Sequence, residues 1–434
     1  MQVEAWLARS ERRFGERVAI ETPERSLSYS ELAELAGSGA AELDVEPGAR
    51  VAIALPAGID FVVALHSCLC AGAVAVPLDL RDPASARRGA EADLVIARPL
   101  ACRAAAAPPG PHELEDAALI VRTSGTSGAP KDVPLTYGNL LWSAIGSAVA
   151  LGLDPRERWL CTLPLVHVGG LSIVLRSAIY GTTAVIHERF EAQAAVRAIA
   201  ENEITLVSVV ATTLRRLLDA GLSEPAALRC ALAGGGPVPP ALIERARGAG
   251  VAVSQTYGLT EACSQVATQT PGEDGAAAGP ALFCSRVAIG AEGEILVSGP
   301  TVSPSVAGGT LATGDVGELL ADGSLRVFGR LSDTIISGGE NVSPSEIEAV
   351  LEEHPLVTEA GVYGRADEEW GEAVHAVVVA RAPLEGDELR GWCAERLAAY
   401  KVPKAIRVVD ALPRTSSGKL QRKLLAVDAV GGSA

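Results

Sequence analysis

A chain of 434 residues, 48% of them hydrophobic, is long enough for two or more domains with large cores. Its 53 acidic and 37 basic residues leave a net charge of −16, which argues against nucleic acid or anionic membranes as partners. Substrates that are themselves anions must then be drawn by local charge at a site. Eight cysteines lie without framework spacing and no signal-peptide pattern opens the chain, so a reducing cytoplasm is expected.

Residues 61–80 are apolar enough to require a membrane check, but they contain His66, Ser67, Gly72, Pro77 and Asp79. A buried helix running to Ala71, a turn and a short core strand fit better than a span. His66, Cys68 and Cys70 in HSCLC lack a second cluster to complete a tetrahedral set, and small buried cysteines are the better reading. The Ala/Pro-rich residues 104–111 read as a surface connection.

Residues 119–133, LIVRTSGTSGAPKDV, carry the strongest local signal. An apolar strand feeds Thr123, Ser124, Gly125, Thr126, Ser127 and Gly128, none of them bulky, and Lys131 follows. Glycines let the backbone turn its N–H groups toward an anion, hydroxyls add donors, and the lysine adds a cation, so the loop suits phosphate. It is not a Walker loop, because Pro130 and Asp132 flank the lysine where that motif needs Gly and Ser or Thr. Further on, residues 204–210 read as strand, 213–220 as helix and 230–233 as strand. This alternation implies βαβ units around mainly parallel sheets covered by helices. Polar punctuation at residues 329–333, between the apolar runs 325–328 and 334–336, marks a domain boundary.

Five further segments stand in fixed order after the loop: AGGGPVPP (233–240), YGLTE (257–261), TGD (313–315), GRLSDTIISGGENVSPSE (329–346) and LPRTSSGK (412–419). With the loop, they resemble the adenylate-forming superfamily of acyl-CoA synthetases, peptide-synthetase adenylation domains and luciferases. SYSELAELA (28–36) and AGAVAVPLD (71–79) look like that family's opening helix and following strand turn. The resemblance implies an α/β fold with a large N-terminal domain of mainly parallel sheets flanked by helices (1–330). A small mobile α+β C-terminal domain (331–434) caps the site. It implies ATP, Mg2+ and coenzyme A, a small carboxylic acid as substrate, and no membrane insertion; it leaves a homodimer open. The chemistry has two steps, formation of an acyl-adenylate with release of pyrophosphate, then displacement of AMP by a thiol.

The same resemblance carries roles onto particular residues. Thr260 matches the residue that bonds the α-phosphate and Glu261 the magnesium ligand, within a motif that also holds Tyr257 and Gly258. Asp315 and Arg330 match the two ribose contacts, and Gly234, Gly235 and Gly236 the strip that lies against adenine. Lys419 matches the lysine that reaches the carboxylate and α-phosphate during adenylation. Gly338, Gly339 and Glu340 belong to the loop that enters after domain rotation and lines the pantetheine tunnel. His167 in PLVHVGGL borders the acyl channel, and Arg216, Ser264 and Gln265 are candidate donors for a second substrate carboxylate.

Two departures stand out: Asp132 replaces a common glycine, and Ser332 occupies a hinge position where most of the superfamily has Asp or Lys. The RxSD arrangement, TYGLTEACSQVATQ and AGPALFCSRVAI are similar to compact o-succinylbenzoyl-CoA synthetases of menaquinone biosynthesis. Another aryl or fatty acyl-CoA synthetase, an adenylation domain loading a carrier protein, and a nucleotide-binding regulator without turnover remain as alternatives.

Overall fold

The computed structural model describes residues 1–82, 89, 91–106, 109–123, 131–275, 277–414 and 420–426. Local signals begin the fold. Helix Tyr29–Leu43 starts at a reciprocal cap in which the Ser28 hydroxyl accepts the Glu31 N–H at 3.2 Å and the Glu31 carboxylate accepts the Ser28 N–H at 2.7 Å. Helix Tyr137–Leu151 starts the same way with Thr136 and Asn139, and the Asn139 amide also donates to the carbonyls of Pro300 and Val302. One short-range cap thereby ties two distant segments.

The apolar stretch is helix Ile59–Cys70, buried from Phe61 to Leu69, followed by strand Val74–Pro77. Among the described residues no helix is long and apolar enough to cross a membrane, and no three His, Cys, Asp or Glu side chains are grouped to hold a metal. All eight cysteines are unpaired.

Two sheets dominate the N-terminal part. The first runs Leu94–Ile96, Arg50–Ile53, Val74–Pro77, Ala117–Thr123, Lys131–Thr136; all its pairings are parallel except the last, a hairpin whose ends bracket the glycine-rich loop. The second has eight strands, from Ser264–Thr268 through Val253–Leu259, Cys230–Ala233, Leu206–Val209, Arg158–Cys161, Thr183–Ile186 and Val18–Glu21 to Ser26–Ser28. Its interior pairings are parallel and both ends turn back antiparallel. The expected alternation is present, with strand Leu206–Val209, helix Ala211–Asp219 and strand Cys230–Ala233 in succession.

A four-stranded antiparallel sheet follows and ends at Arg330, and a 3₁₀ turn at Leu331–Asp333 separates it from strand Ile335–Ser337. The last sheet pairs Glu340–Val342, Ile335–Ser337, Gly371–Ala380 and Val357–Asp367, with Ala405–Val409 added in parallel to Gly371–Ala380. Helix Pro344–Glu352 and helix Gly386–Ala394 contribute Ile347, Leu351, Leu389 and Cys393 to this sheet's own apolar core.

At the N-terminal edge, Trp6, His66, Cys70 and His112 line one small cavity. The indole Nε1 of Trp6 and Nε2 of His66 are buried there without partners, while His112 stacks on Tyr137 at 4.2 Å. Burial pushes the imidazoles of His66 and His112 down to about 4. An unfolded chain binds these protons near pH 6.5 and the folded chain resists them until about pH 4, so their stabilising contribution is complete above pH 6.5 and is lost as pH falls through that window. For His66 the loss is on the order of 3 kcal/mol. Urea midpoints measured from pH 7 to pH 4.5 should therefore fall more steeply in the wild type than in His66→Leu; parallel curves would show that His66 does not set the slope.

Candidate active site

Two sequence motifs lie at the carboxyl ends of neighbouring parallel strands, where open α/β sheets carry their ligands. Gly234 to Gly236 follow strand Cys230–Ala233, and Tyr257 and Gly258 close the neighbouring strand Val253–Leu259. A Cβ at Gly234 would stand 2.7 Å from the Thr256 methyl, and Gly235 has φ of +77°, so this strip keeps its backbone bare. The constraint at Gly258 is stronger: a Cβ there would lie 1.7 Å from the Ser264 carbonyl oxygen. The chain between them makes a 3₁₀ turn at Thr260–Ala262, and Cys263 and Ser264 then take φ of +54° and +87°. Two consecutive non-glycine residues in that region are strained, and such strain persists only where surroundings enforce it. Two hydrogen bonds enforce it: the Ser143 hydroxyl donates to the Cys263 carbonyl at 2.6 Å, and the Ser303 N–H donates to the Glu261 carbonyl at 2.8 Å. The turn presents Thr260 and a half-buried Glu261 side chain.

Asp315 sits opposite Arg330 in the antiparallel register, and Arg330 Nε lies 2.7 Å from Asp315 Oδ1. The Tyr257 hydroxyl donates to the other oxygen, Oδ2, at 2.7 Å. The carboxylate is almost buried, and its backbone N–H is taken by the Thr313 hydroxyl, itself bonded to the Ile295 carbonyl at 2.8 Å. Burial, and then Asp315, raise the Tyr257 phenol well above its usual range, so it remains a donor. Sequence motifs 58 positions apart are thus one charged cluster.

Ser124, Gly125, Thr126, Ser127, Gly128 and Lys419 lie outside the described residues. The rims of the glycine-rich loop are described. Thr123 ends its strand with a buried, unpartnered hydroxyl, and Lys131 faces it in register with an exposed side chain. Asp132, the departure from glycine, is paired across the hairpin with Arg122, whose Nε is 3.4 Å from its Oδ1. Its negative charge beside Lys131 is therefore offset locally.

Of the residues expected on the acyl side, His167 occupies the N-cap position of helix Val168–Tyr180 without a side-chain cap bond; its buried Nε2 has no partner among the described residues, and burial lowers its imidazole so that it is neutral at pH 7. Gln265 is buried, donates to Thr268 at 2.8 Å, and leaves its Oε1 unpartnered; Ser264 is half-buried beside it. Arg216 is placed differently from these two. It is exposed on helix Ala211–Asp219, with its guanidinium stacked 4.8 Å over Phe190. The buried arginine is Arg176, at 3% exposure, which the motif reading passed over. It donates to the Ser143 hydroxyl at 2.9 Å, its Nε has no partner, and no carboxylate pairs with it among the described residues. The signal was legible in principle, since Arg176 is the sole charge in the apolar helix VGGLSIVLRSAIY. Desolvation lowers its affinity for a proton, and a lone buried cation is costly unless an anion meets it.

Gly338 and Gly339, with φ of +61° and +85°, form a tight turn between Ile335–Ser337 and Glu340–Val342, the geometry for which Gly-Gly is suited. A Cβ on Gly338 would meet the Trp370 ring at 2.9 Å. Glu340 is exposed, and among the described residues no hydrogen bond joins this turn to Asp315 or His167.

Gly258→Ala should separate the strand pair that shapes the site and lower stability by about 3 kcal/mol or more. Gly236→Ala, whose Cβ would meet nothing within 4 Å, should shift it by less than about 1 kcal/mol. Urea denaturation of the two variants checks the difference, and equal losses would show that the Ser264 carbonyl yields.

Residues 7–98 and 89–306 match the AMP-binding enzyme family, and residues 346–419 match the AMP-binding enzyme C-terminal domain. The 2-succinylbenzoate–CoA ligase of Bacillus licheniformis is 40% identical, with 97% of this chain and 98% of that protein covered. The o-succinylbenzoate CoA synthetase (MenE) of Bacillus subtilis, in complex with the acyl-adenylate intermediate OSB-AMP, gives a TM-score of 0.90 at 36% identity over 98% of both chains. A double mutant of that synthetase bound with its product analogue OSB-NCoA gives 0.71 at the same identity and coverage, so the present arrangement matches the acyl-adenylate complex better. Motifs, strand-end geometry and these likenesses agree over nearly the whole chain, which belongs to the AMP-binding enzyme family.

Proposed function

We propose that this chain is an AMP-forming acid–CoA ligase acting on o-succinylbenzoate. The observation that carries the substrate is Arg176, a buried guanidinium with no carboxylate of its own, linked through Ser143 to the strained turn after Thr260 and Glu261. o-Succinylbenzoate has two carboxylates: one reacts, and the other supplies the missing anion. The relatives bearing the name of 2-succinylbenzoate–CoA ligase support the same choice.

In the first half-reaction a carboxylate oxygen bonds to the α-phosphorus of ATP and the bond to pyrophosphate breaks. In the second, the sulfur of coenzyme A bonds to the acyl carbon, AMP leaves, and the thiol proton is released. Neither step needs a protein nucleophile, so the residues align groups and offset charge. Asp315, fixed by Arg330 and Tyr257, holds the ribose hydroxyls; the bare backbone of Gly234 to Gly236 lies against adenine; Thr260 bonds the α-phosphate. Thr123, Ser124 to Gly128 and Lys131 hold the departing phosphates. Glu261, a half-buried carboxylate with no side-chain hydrogen bond or ion pair among the described residues, would hold a magnesium ion. When bound, magnesium neutralises charge on the reacting phosphates. Neutral His167 borders the acyl channel, and Ser264 and Gln265 lie beside it; the exposed Arg216 takes no part.

Residues 1–330 form the nucleotide- and acid-binding domain and 331–434 the mobile one, with the pivot in the turn containing Ser332. Lys419 acts in adenylation, and the Gly338–Gly339 turn with Glu340 serves thioester formation after rotation. Eight unpaired cysteines suit a reducing cytoplasm.

The kcat/KM for o-succinylbenzoate should exceed those for benzoate and a medium-chain fatty acid by about 100-fold or more, because an unmet buried charge costs far more than a missing methylene. Arg176→Met should abolish that preference while keeping or raising thermal stability, since apolar replacement of an uncompensated buried charge is neutral to favourable. Comparable kcat/KM values for the three acids, or a destabilised Arg176→Met, would assign the arginine to structure and the chain to a general acyl-CoA synthetase. The Arg122 pair generates a second expectation: Arg122→Ala should raise KM for ATP about three- to tenfold by uncovering Asp132, and Asp132→Gly in the same protein should reverse it. A double variant no better than the single one would separate the pair from ATP binding.

A further inference from the structure

Arg215 and Arg216 are neighbours with opposite fates. Arg216 points to solvent over Phe190, whereas Arg215 leaves its own domain. Its Nη1 donates to the Thr358 carbonyl on strand Val357–Asp367, and its Nη2 lies 3.5 Å from Glu352 Oε2, at the end of helix Pro344–Glu352. The other Glu352 oxygen accepts the Ala360 N–H at 3.1 Å. Both side chains are mostly buried, at 19% and 12% exposure. The remaining side-chain hydrogen bonds between the two parts, among the described residues, are at the covalent junction itself: Ser343 and Ser345 donate to the Phe328 carbonyl and Thr334 to that of Arg330. Arg215 is the contact that stands away from the pivot, where it has leverage over orientation.

The helix carrying Arg215 also touches the nucleotide side. Its N-cap Val210 places a methyl 3.4 Å from where a Gly235 Cβ would be, so the helix begins against the glycine strip. A rigid nine-residue helix then connects that strip to the C-terminal part. The whole assembly is the one that matches the acyl-adenylate complex of the Bacillus subtilis synthetase better than its product-analogue complex.

We propose that Arg215 is a positioning residue that latches the C-terminal domain, through Glu352 and the Thr358 carbonyl, in the orientation that makes the acyl-adenylate, and lets go for thioester formation. The inference rests on the two half-reactions proposed above. Two bonds cross between the parts at Arg215 and a third, from the Ala360 N–H, fixes Glu352 to receive it, so the contact selects one orientation. Burial already pushes the Glu352 carboxyl up to about 7 with Arg215 in place, which makes its neutral form accessible when the arginine withdraws. Release therefore does not strand a charge. Arg215 touches no reacting atom.

The test divides the half-reactions. Pyrophosphate exchange with o-succinylbenzoate should fall about tenfold in Arg215→Ala and in Glu352→Gln, while thioester formation from supplied acyl-adenylate and coenzyme A stays within about twofold of wild type. The swapped pair, Arg215→Glu with Glu352→Arg, should recover part of the exchange. Equal loss in both half-reactions, or no loss in either, overturns the latch. Small-angle scattering of the ligand-free protein gives an independent reading: Arg215→Ala should show a larger radius of gyration than wild type, and identical profiles count against the proposal. If wild type exchanges pyrophosphate with no acid at all, the functional reading fails, and scattering still decides the latch.

Discussion

The close approach of Gly258 to the Ser264 carbonyl is the constraint on which the site depends. With no room for a Cβ, the strand ending at Leu259 must fold back at once, and Cys263 and the first residue of the return strand, Ser264, absorb the reversal with positive φ. Thr260 and Glu261 ride on that reversal. A looser turn would place neither hydroxyl nor carboxylate with the accuracy that in-line attack at a crowded phosphorus requires. The strain is held by Ser143 and Ser303, and through Ser143 by Arg176. On the roles proposed above, the hydrogen-bonded chain that fixes the residues assigned to metal and phosphate also fixes the group assigned to the substrate's far end. Position at one end of the substrate is mechanically linked to recognition at the other.

A protein with a net charge of −16 that is proposed to handle a nucleoside triphosphate and a diacid has to place its cations individually. Arg330 is spent on Asp315, orienting a carboxylate; Arg122 offsets Asp132 at the rim of the phosphate loop; Arg176 is left without an internal anion. Arg422 performs the same kind of task in the C-terminal part, bridging Glu348 and Asp333 of the 3₁₀ turn, with Nε 3.2 Å from the latter. These arginines have planar forks whose fixed donor geometry matches a carboxylate, where a lysine offers a point charge on a flexible stem. Among them, Arg176, without a carboxylate among the described residues, is the one proposed to meet a ligand's charge.

The two halves of the chain are stabilised separately. The C-terminal sheet has its own apolar cluster around Ile347, Val362, Val374 and Leu389, and the bonds that cross between the halves are few and polar. Separate cores joined by polar contacts permit reorientation without exposing apolar surface, which a two-step reaction using two sets of loops requires.

Much of this was determined by the sequence alone. The alternation of strand and helix from residue 204 to 233, the helix and strand hidden in the apolar stretch 61–80, the punctuation after Arg330, and the family itself are local or ordered signals that survive without coordinates. Asp132 could be seen as a departure, and Arg176 as a solitary charge in an apolar helix. Three-dimensional packing decided what those residues mean. Register across the hairpin at the phosphate loop gave Asp132 its arginine, burial made Arg176 a cation without an anion, and the helix phase at positions 215 and 216 sent one arginine to the other domain and the other to solvent. Motifs are legible because the chemistry fixes residue types and spacing along one chain; the worth of a charge depends on what surrounds it, and its surroundings come from segments far away in sequence.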